Sequence, residues 1–345
     1  MKTYKHLLWA CVLLAACEGN PFVAEEDPTD PVDPGTDPGG GIVGEGLPPG
    51  TTSPSPDAGI FRREATSTAD GETGNGFVRT ASYDSAADTF TVDGLAFDGG
   101  NVYQRATPDG NLGPFAVYEA DATFQDDVTG TPIGQFDHRA LYGVSTSGNT
   151  EFAVVRTGAY VTYGFGGFIY QRDGSVTLPT SGQAHYEGDY AALRDFDGAG
   201  GLEYARGDMT LDIDFNDFNE GAGVDGAVFN RSIFDTAGND ITNDVLTALN
   251  TEFESTLSAL PVLRFDVGPG ALNANGEATG GVGSFVSSNG AAETFEEGNY
   301  YAVVSGNATE GGADEVVGVI VVTATDPRFD GVTVRETGGF LLYRD

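Results

Sequence analysis

Residues 184–190 read AHYEGDY and residues 211–216 read LDIDFN, and these two stretches decide the fold class. In each stretch, apolar or small side chains alternate with charged or polar ones. Successive side chains of a β-strand point to opposite faces of its sheet. Each stretch therefore predicts a strand with one face in a core and the other in water.

The alternation continues to the C-terminus. Together with the first two strands, six further runs make eight predicted antiparallel strands, the number at which a sheet closes into a small barrel of about 165 residues. Closure removes the exposed strand edges and leaves little free lumen. The six further runs are residues 223–231, 262–267, 276–287, 299–305, 315–324 and 332–343.

One helix is predicted inside the barrel sequence. Apolar residues recur every four positions at Val245, Leu249, Phe253 and Leu257, and Pro261 prevents the helix from continuing. Thr242 and Asn243 precede the series and are candidate caps. We expect this helix to lie against the barrel or to plug one end.

The first half of the chain also reads as short strands separated by turn residues. A break at residues 171–174 separates the two patterns and predicts two β domains, residues 57–175 and 176–345. The fold class is therefore all-β: an N-terminal antiparallel domain, then a small eight-stranded antiparallel β-barrel with one inserted helix. Strands are predicted at residues 76–83, 89–97, 101–105, 115–121, 139–145, 151–158 and 161–170.

The N-terminus has the layout of an export signal. Lys2 and Lys5 precede an apolar run, and residues 14–17 read LAAC, which matches a bacterial lipobox. We predict a signal peptide over residues 1–16 and lipid attachment at Cys17; the alternative is an ordinary secretory signal. Residues 17–56 are rich in proline, glycine and aspartate and predict a disordered acidic linker that spaces the body from a membrane.

The charge balance excludes several functions. Both lysines lie in the predicted signal, so the remaining chain carries 14 arginines against 52 carboxylates, a net charge of −38. Such a chain repels nucleic acid and anionic lipid surfaces, and it lacks a lysine for Schiff-base or P-loop chemistry. The acidity favours adaptation to a salty medium; the alternative is a site for cations or basic partners.

No catalytic motif is evident in the sequence, and the chain is predicted not to be an enzyme. His138 and His185 are the only histidines after the signal, and no thiol remains beside them, so neither a catalytic triad nor a zinc site is expected. No cofactor is predicted. Two acidic stretches, residues 195–198 and 214–217, are candidate calcium ligands, although neither completes an EF-hand loop and ordinary acidic turns also explain them.

An aromatic stretch over residues 160–170 allows two interpretations. Tyr163, Phe165 and Phe168 could line a hydrophobic binding face, or they could belong to a buried strand. The sequence pattern alone leaves both open.

Three segments of the second half resemble the barrel domain of transferrin-binding protein B. They are residues 178–188 (LPTSGQAHYEG), residues 211–226 with VDG at their end, and residues 335–340 (RETGGF). The resemblance covers residues 171–345. It implies that residues 57–175 form a handle-like domain, and that the chain is a surface-exposed lipoprotein of the cell outer membrane. Glu18, directly after Cys17, agrees with outer-membrane sorting.

These observations predict a non-catalytic binding module. Its expected partners are the membrane, through the lipid on Cys17, and an unidentified solute or protein, with metal or haem acquisition as the role that the resemblance implies. One alternative is a structural or adhesive scaffold without a small-molecule ligand. A third, weaker hypothesis is a hydrolase that uses paired carboxylates.

Overall fold

The computed structural model describes residues 46–65, 76–106, 110–126, 128–160, 162–218, 221–288, 290–307 and 314–345. The predicted signal peptide, Cys17 and most of the predicted linker lie outside these residues. The described residues contain one helix, α1 (Thr242–Glu252), and twenty strands. The strands are β1 (Ile60–Arg63), β2 (Thr80–Asp84), β3 (Thr89–Asp93), β4 (Val102–Arg105), β5 (Asn111–Leu112), β6 (Phe115–Ala120), β7 (Thr123–Gln125), β8 (Pro132–Gly134), β9 (His138–Val144), β10 (Thr150–Tyr160), β11 (Tyr163–Arg172), β12 (Val176–Thr177), β13 (Gln183–Asp197), β14 (Leu202–Phe218), β15 (Gly221–Asp235), β16 (Leu263–Phe265), β17 (Glu277–Ser288), β18 (Ala291–Asn307), β19 (Glu315–Thr325) and β20 (Thr333–Arg344).

Strands β13 to β20 form a closed antiparallel barrel. Each strand pairs with the next in the chain, and β20 returns to pair with β13 over twelve positions, from Tyr186↔Arg344 to Asp197↔Thr333. The predicted eight-stranded barrel is therefore confirmed. The first two strands are longer than predicted: β13 continues to Asp197 and β14 begins at Leu202.

Apart from β7, β8 and β12, the last of which pairs in parallel with β18 of the barrel, the strands before β13 form a second sheet that joins the barrel. Its order is β2, β3, β4, β6, β9, β10, β11 and β1, and β11 contacts the barrel through the pair Tyr163↔Asp197. The short strands β7 and β8 form a separate two-stranded ribbon. The predicted boundary at residues 175 and 176 stays a prediction.

Four apolar clusters fill the described part of this architecture, and the three largest lie inside the barrel and on the two faces of the N-terminal sheet. One lies inside the barrel and includes Tyr190, Tyr300 and Phe340. A second lies between the barrel wall and the N-terminal sheet and includes Phe152, Phe168 and Leu341. A third covers the other face of that sheet. Alternation along β13 explains the division, since Tyr190 and Ala192 point inward while Ala191 and Leu193 point toward the N-terminal sheet.

The glycine pair near the C-terminus lets aromatic rings pack closely on both sides of β20. A side chain at Gly338 would collide with the ring of Tyr190 inside the barrel, and one at Gly339 would collide with the ring of Phe152 outside it. These collisions give residues 338–339 of the RETGGF segment a structural reason for being glycine.

The helix forms where it was predicted, but its cap differs. α1 begins at Thr242, its N-cap residue is Ile241, and no side chain caps it. Thr242 Oγ1 instead accepts a hydrogen bond of 2.9 Å from the backbone N–H of Ile233 in β15. The capping role predicted for Thr242 and Asn243 is therefore wrong, because the Thr242 hydroxyl bonds to the neighbouring strand.

The last part of the predicted linker lies against β1. Gly50 bridges Arg62, and the backbone N–H of Thr51 donates to Phe61 O at 3.0 Å. Arg62 also donates through Nη1 to Pro48 O at 3.1 Å. A proline-rich segment can pair in this way at the edge of a sheet, where its missing donors face solvent. No helix among the described residues is long and apolar enough to span a membrane.

Candidate functional site

A layer of buried ion pairs crosses one end of the barrel. We call this set the ion-pair layer: Arg194, Glu203, Arg231, Glu296, Asp326, Arg328 and Glu336. Arg231 donates to both carboxylate oxygens of Glu296 at 2.7 Å and to Glu336 at 3.1 Å. Arg194 Nη1 donates to Glu203 Oε2 at 2.7 Å, and Arg328 donates to Glu203 and Asp326.

The layer lies between two apolar regions. Arg194 is two residues before Phe196 on β13, and Glu336 is two residues after Val334 on β20. Phe196 and Val334 belong to an apolar cluster at this end of the barrel, to which α1 contributes Leu249. Tyr190, in the central barrel core, donates its hydroxyl to Glu336 Oε1 at 2.9 Å. Side chains therefore fill the lumen at this level, and the ion-pair layer is not a candidate ligand site.

The electrostatics of the layer follow from its burial. Burial raises the pKa of Glu296, but the charge of Arg231 and its two hydrogen bonds outweigh burial and hold that pKa below its usual value. The Arg231 guanidinium keeps a raised pKa for the reciprocal reason. The Arg231–Glu296 pair is therefore charged at neutral pH, and each partner compensates the burial of the other.

His185 lies on the outer face of the barrel, as predicted. Its Nδ1 is 2.7 Å from Asp212 Oδ1, and its Nε2 is 3.2 Å from Glu187 Oε1. These two carboxylates raise its pKa. Both ring nitrogens contact carboxylates, and no nucleophilic side chain contacts either of them among the described residues.

His138 is completely buried at the start of β9. Its ring packs among Tyr103, Phe136 and Phe165, with centroid separations of 5.7 to 6.3 Å. Its Nδ1 is 3.3 Å from Phe136 O, while no described residue hydrogen-bonds to Nε2. Burial lowers the pKa of this imidazole to about 4. His138 is therefore a neutral core residue at physiological pH.

Neither candidate calcium stretch forms a metal site among the described residues. Asp195 is buried and accepts two hydrogen bonds from Arg156, at 2.7 and 3.0 Å. Asp214 accepts a hydrogen bond from Gln183 Nε2 at 3.0 Å.

Of the two interpretations of the aromatic stretch, the buried strand is correct, because β11 places Phe165 in one core cluster and Phe168 in another.

The clearest exposed apolar surface lies on the β7–β8 ribbon and the loop beside it. We call it the apolar tip and define it as Phe97, Phe124, Val128 and Ile133. Their exposed fractions are 49%, 40%, 92% and 41%. Phe124 is directly opposite Ile133 in the ribbon, so the two side chains share a face. The ring of Phe124 also approaches Gly100, in the loop that carries Phe97.

The turn that carries Val128 is held by one carboxylate. Asp126 Oδ1 accepts hydrogen bonds from the backbone N–H groups of Val128 at 3.0 Å and Thr129 at 2.6 Å. These bonds lower the pKa of Asp126, so the carboxylate stays ionised and the turn stays closed at neutral pH. The most exposed side chain of the tip, Val128, therefore belongs to a residue whose backbone is fixed by a hydrogen bond to Asp126.

Phe97 adopts an unusual backbone conformation. Its φ is 58°, in the left-handed region that costs a bulky residue about 1–3 kcal/mol. The conformation is held because Phe97 O accepts from Phe136 N at 2.8 Å and the two rings lie 5.2 Å apart. The fold thus carries local strain at the residue whose ring it exposes.

Two cavities open elsewhere on the body. One, of about 500 Å³, lies between residues 46–65 and the outer barrel wall, and Glu64 and Arg335 form an ion pair on its lining. The other, of about 560 Å³, lies at the barrel mouth and is lined by Leu178, Phe215 and Leu272 among others. Glu64, Asp266, Glu297 and Arg335 are among the residues that line the first cavity, whereas the second is lined mostly by apolar residues.

No family model matches the chain, and no curated protein matches it. Solved structures that resemble it include a transferrin-binding protein B double mutant from Haemophilus parasuis Hp5, at 12% identity and a TM-score of 0.34, over 77% of this chain and 45% of that one. Intact Ap-TbpB, with N and C lobes, gives 12% identity and 0.33, over 77% and 46%. A candidate outer membrane protein from Bacteroides fragilis NCTC 9343 gives 10% and 0.22, over 77% and 87%.

The chain thus spans less than half of the transferrin-binding proteins that it matches. At these scores the likeness adds nothing to the strand pairing, which defines the barrel by itself. A binding module predicts an exposed apolar patch on the first domain or its loops, but the sequence pattern singled out none of the four residues of the apolar tip. Its signal was an isolated Phe, Val and Ile among polar residues at positions 121–137, without the long alternation that marks a strand.

Proposed function

We propose that this chain is a lipid-anchored, non-catalytic binding module of the cell envelope that holds a protein partner at its apolar tip. The observation that carries the proposal is the tip itself: four large apolar side chains exposed on the β7–β8 ribbon, on its turn and on the adjacent loop. Exposed apolar groups of this kind mark interaction surfaces, and an ordered loop loses less entropy on binding.

The anchor in this proposal is Cys17, at the end of the lipobox. The linker that follows it spaces the body from the membrane, and the outer membrane is the proposed location. A protein partner fits better than a solute because the tip is an exposed surface that lines neither cavity, and the lumen is filled at the ion-pair layer. Capture of a metal-carrying or haem-carrying protein would make the chain part of metal acquisition.

A site-specific crosslinking experiment tests the proposal. A photo-crosslinking amino acid is placed at Gln125, an exposed ribbon residue outside the tip, in the full-length protein in cells of the source organism. We expect a discrete crosslinked partner that is lost when Val128→Ser and Ile133→Ser are added. The control places the same crosslinker at Thr247, an exposed residue of α1.

The same experiment separates the second candidate function, a stable display scaffold. The filled lumen and the ion-pair layer are as consistent with a scaffold as they are with a binding module. A scaffold predicts no discrete product at Gln125, or equal products at Gln125 and Thr247, and either result would end the binding proposal. Replacement of Cys17→Ala tests the anchor separately, because loss of the lipid should move the protein out of the membrane fraction.

A further inference from the structure

The carboxylates around the apolar tip point to the chemistry of its partner. We infer that the tip binds a basic protein surface in which an apolar centre is surrounded by lysine or arginine. The inference rests on the proposed function and deepens it, because it names the class of partner.

The first supporting observation is the local absence of positive charge. The sequence contains no lysine or arginine from Ala106 to Asp137, while this segment carries six carboxylates. The two flanking arginines are already engaged. Arg105 pairs with Asp88 at 2.9 Å, and Arg139 pairs with Glu119 and with Asp137.

The second observation is that Asp121 and Asp126, the carboxylates on either side of β7, have no cationic partner within the described part of the chain. Asp121 lies two residues before β7 and is exposed. Asp126 accepts hydrogen bonds from Val128 and Thr129, which are neutral donors. Neither residue forms an ion pair with a described residue.

Charge decides among the possible occupants of the tip. A partner that covers the apolar side chains must partly desolvate Asp121 and Asp126, which is unfavourable unless it supplies opposite charge. A second copy of this chain carries the same negative charge and would therefore be repelled. An anionic lipid surface would repel the tip for the same reason. A cationic rim on the partner therefore complements the tip, and it would also speed the encounter at low salt.

The test uses two synthetic amphipathic peptides of about 18 residues, or five helical turns, with the same leucine face and either lysine or glutamate on the polar face. The full-length protein, in nanodiscs of zwitterionic lipid, carries the crosslinker at Gln125. Crosslinking at this position reports contact with the ribbon and is unaffected by peptide adsorbed to lipid. We expect saturable crosslinking to the lysine peptide and about tenfold weaker crosslinking to the glutamate peptide.

Variants assign the interaction to the tip. We expect Val128→Ser to weaken the lysine-peptide interaction about tenfold, as for a central contact residue. We expect Asp121→Asn to weaken it about threefold and to reduce its salt dependence. The matched controls are Val267→Ser and Asp225→Asn, which make the same chemical changes at exposed positions of the barrel region.

Three results would overturn the inference. Equal crosslinking of the two peptides would show that charge plays no part. Equal losses from the tip variants and the control variants would show non-specific attraction to an acidic body. Crosslinking of one copy of the chain to another would assign the tip to self-association. A partner captured in cells through a neutral or acidic surface would contradict this inference while leaving the proposed function intact.

Discussion

At the scale of single residues, buried titratable groups determine how stability depends on conditions. His138 shows this most simply, because burial alone lowers its pKa and no described side chain hydrogen-bonds to its Nε2. Arg231 shows the opposite case, a buried charge that donates hydrogen bonds to two buried carboxylates. The two residues give two separate predictions.

In mild acid, the wild-type protein should lose part of its free energy of unfolding because of His138. Replacement of His138→Leu should abolish that loss. The native pKa is about 4 and the ordinary value is 6.5, so the unfolded chain binds the proton more readily between these values. The free energy of unfolding therefore falls as pH falls from about 6.5 to about 4, by about 2 kcal/mol at pH 5. Urea unfolding of both proteins at pH 7.5 and pH 5 measures this contribution. If wild type and variant lose the same stability between these two pH values, His138 is not the cause.

Replacement of Arg231→Met should destabilise the protein by about 3–5 kcal/mol, because Glu296 and Glu336 would keep buried charges without their shared partner. The measurement is the urea midpoint at neutral pH. Arg264→Met is the matched control, since Arg264 is an exposed residue of β16 and should change stability by less than about 0.5 kcal/mol. Equal effects of the two substitutions would mean that the ion-pair layer does not hold the barrel end together.

At the scale of elements, α1 is an amphipathic segment that depends on the barrel. Val245 and Leu249 are buried, in the barrel core and in the cluster at the barrel end respectively. No side chain caps the helix N-terminus, and an isolated helix of eleven residues is marginal in water. Packing therefore holds α1 in place.

Replacement of Leu249→Ala should cost about 2–5 kcal/mol of stability through the cavity it leaves. Thr247→Ala, at an exposed position of the same helix, should change stability by less than about 0.5 kcal/mol. Hydrogen exchange should also accelerate in α1 of the Leu249 variant before it accelerates in β13. Unchanged protection of α1 would show that other contacts fix the helix.

At the scale of the whole molecule, the large negative charge opposes compaction. The chain after the predicted signal carries a net charge of −38, and the ion pairs inside the barrel are shielded from salt. Surface repulsion should therefore dominate the response to ionic strength.

The melting temperature should rise as sodium chloride increases from 0.1 M to 1 M, because the screening length falls from about 10 Å to about 3 Å. Differential scanning calorimetry measures the change. Sodium chloride is preferred to sulfate, which strengthens apolar burial by itself. A melting temperature that falls with salt would mean that attractive ion pairs outweigh the surface repulsion.

Much of the fold could be predicted from local pattern. The eight barrel strands, α1 and most strands of the first sheet follow from residue alternation, because the strand and helix periods are visible within a few residues. The short strands β1, β5, β7, β8 and β12 escaped prediction. Runs of two to four residues carry too little periodicity, and pairing with neighbours defines them.

The sequence by itself determined the all-β class, the barrel strands, the net negative charge and the small number of lysine and histidine residues, since each depends on composition or on local alternation. Only the tertiary structure decided which charges are buried and which apolar side chains remain exposed. Arg231 and Glu336 are 105 residues apart and become partners through barrel closure. The apolar tip likewise exists only because Phe97 lies beside the β7–β8 ribbon. Such contacts depend on distance in space, which local sequence patterns do not encode.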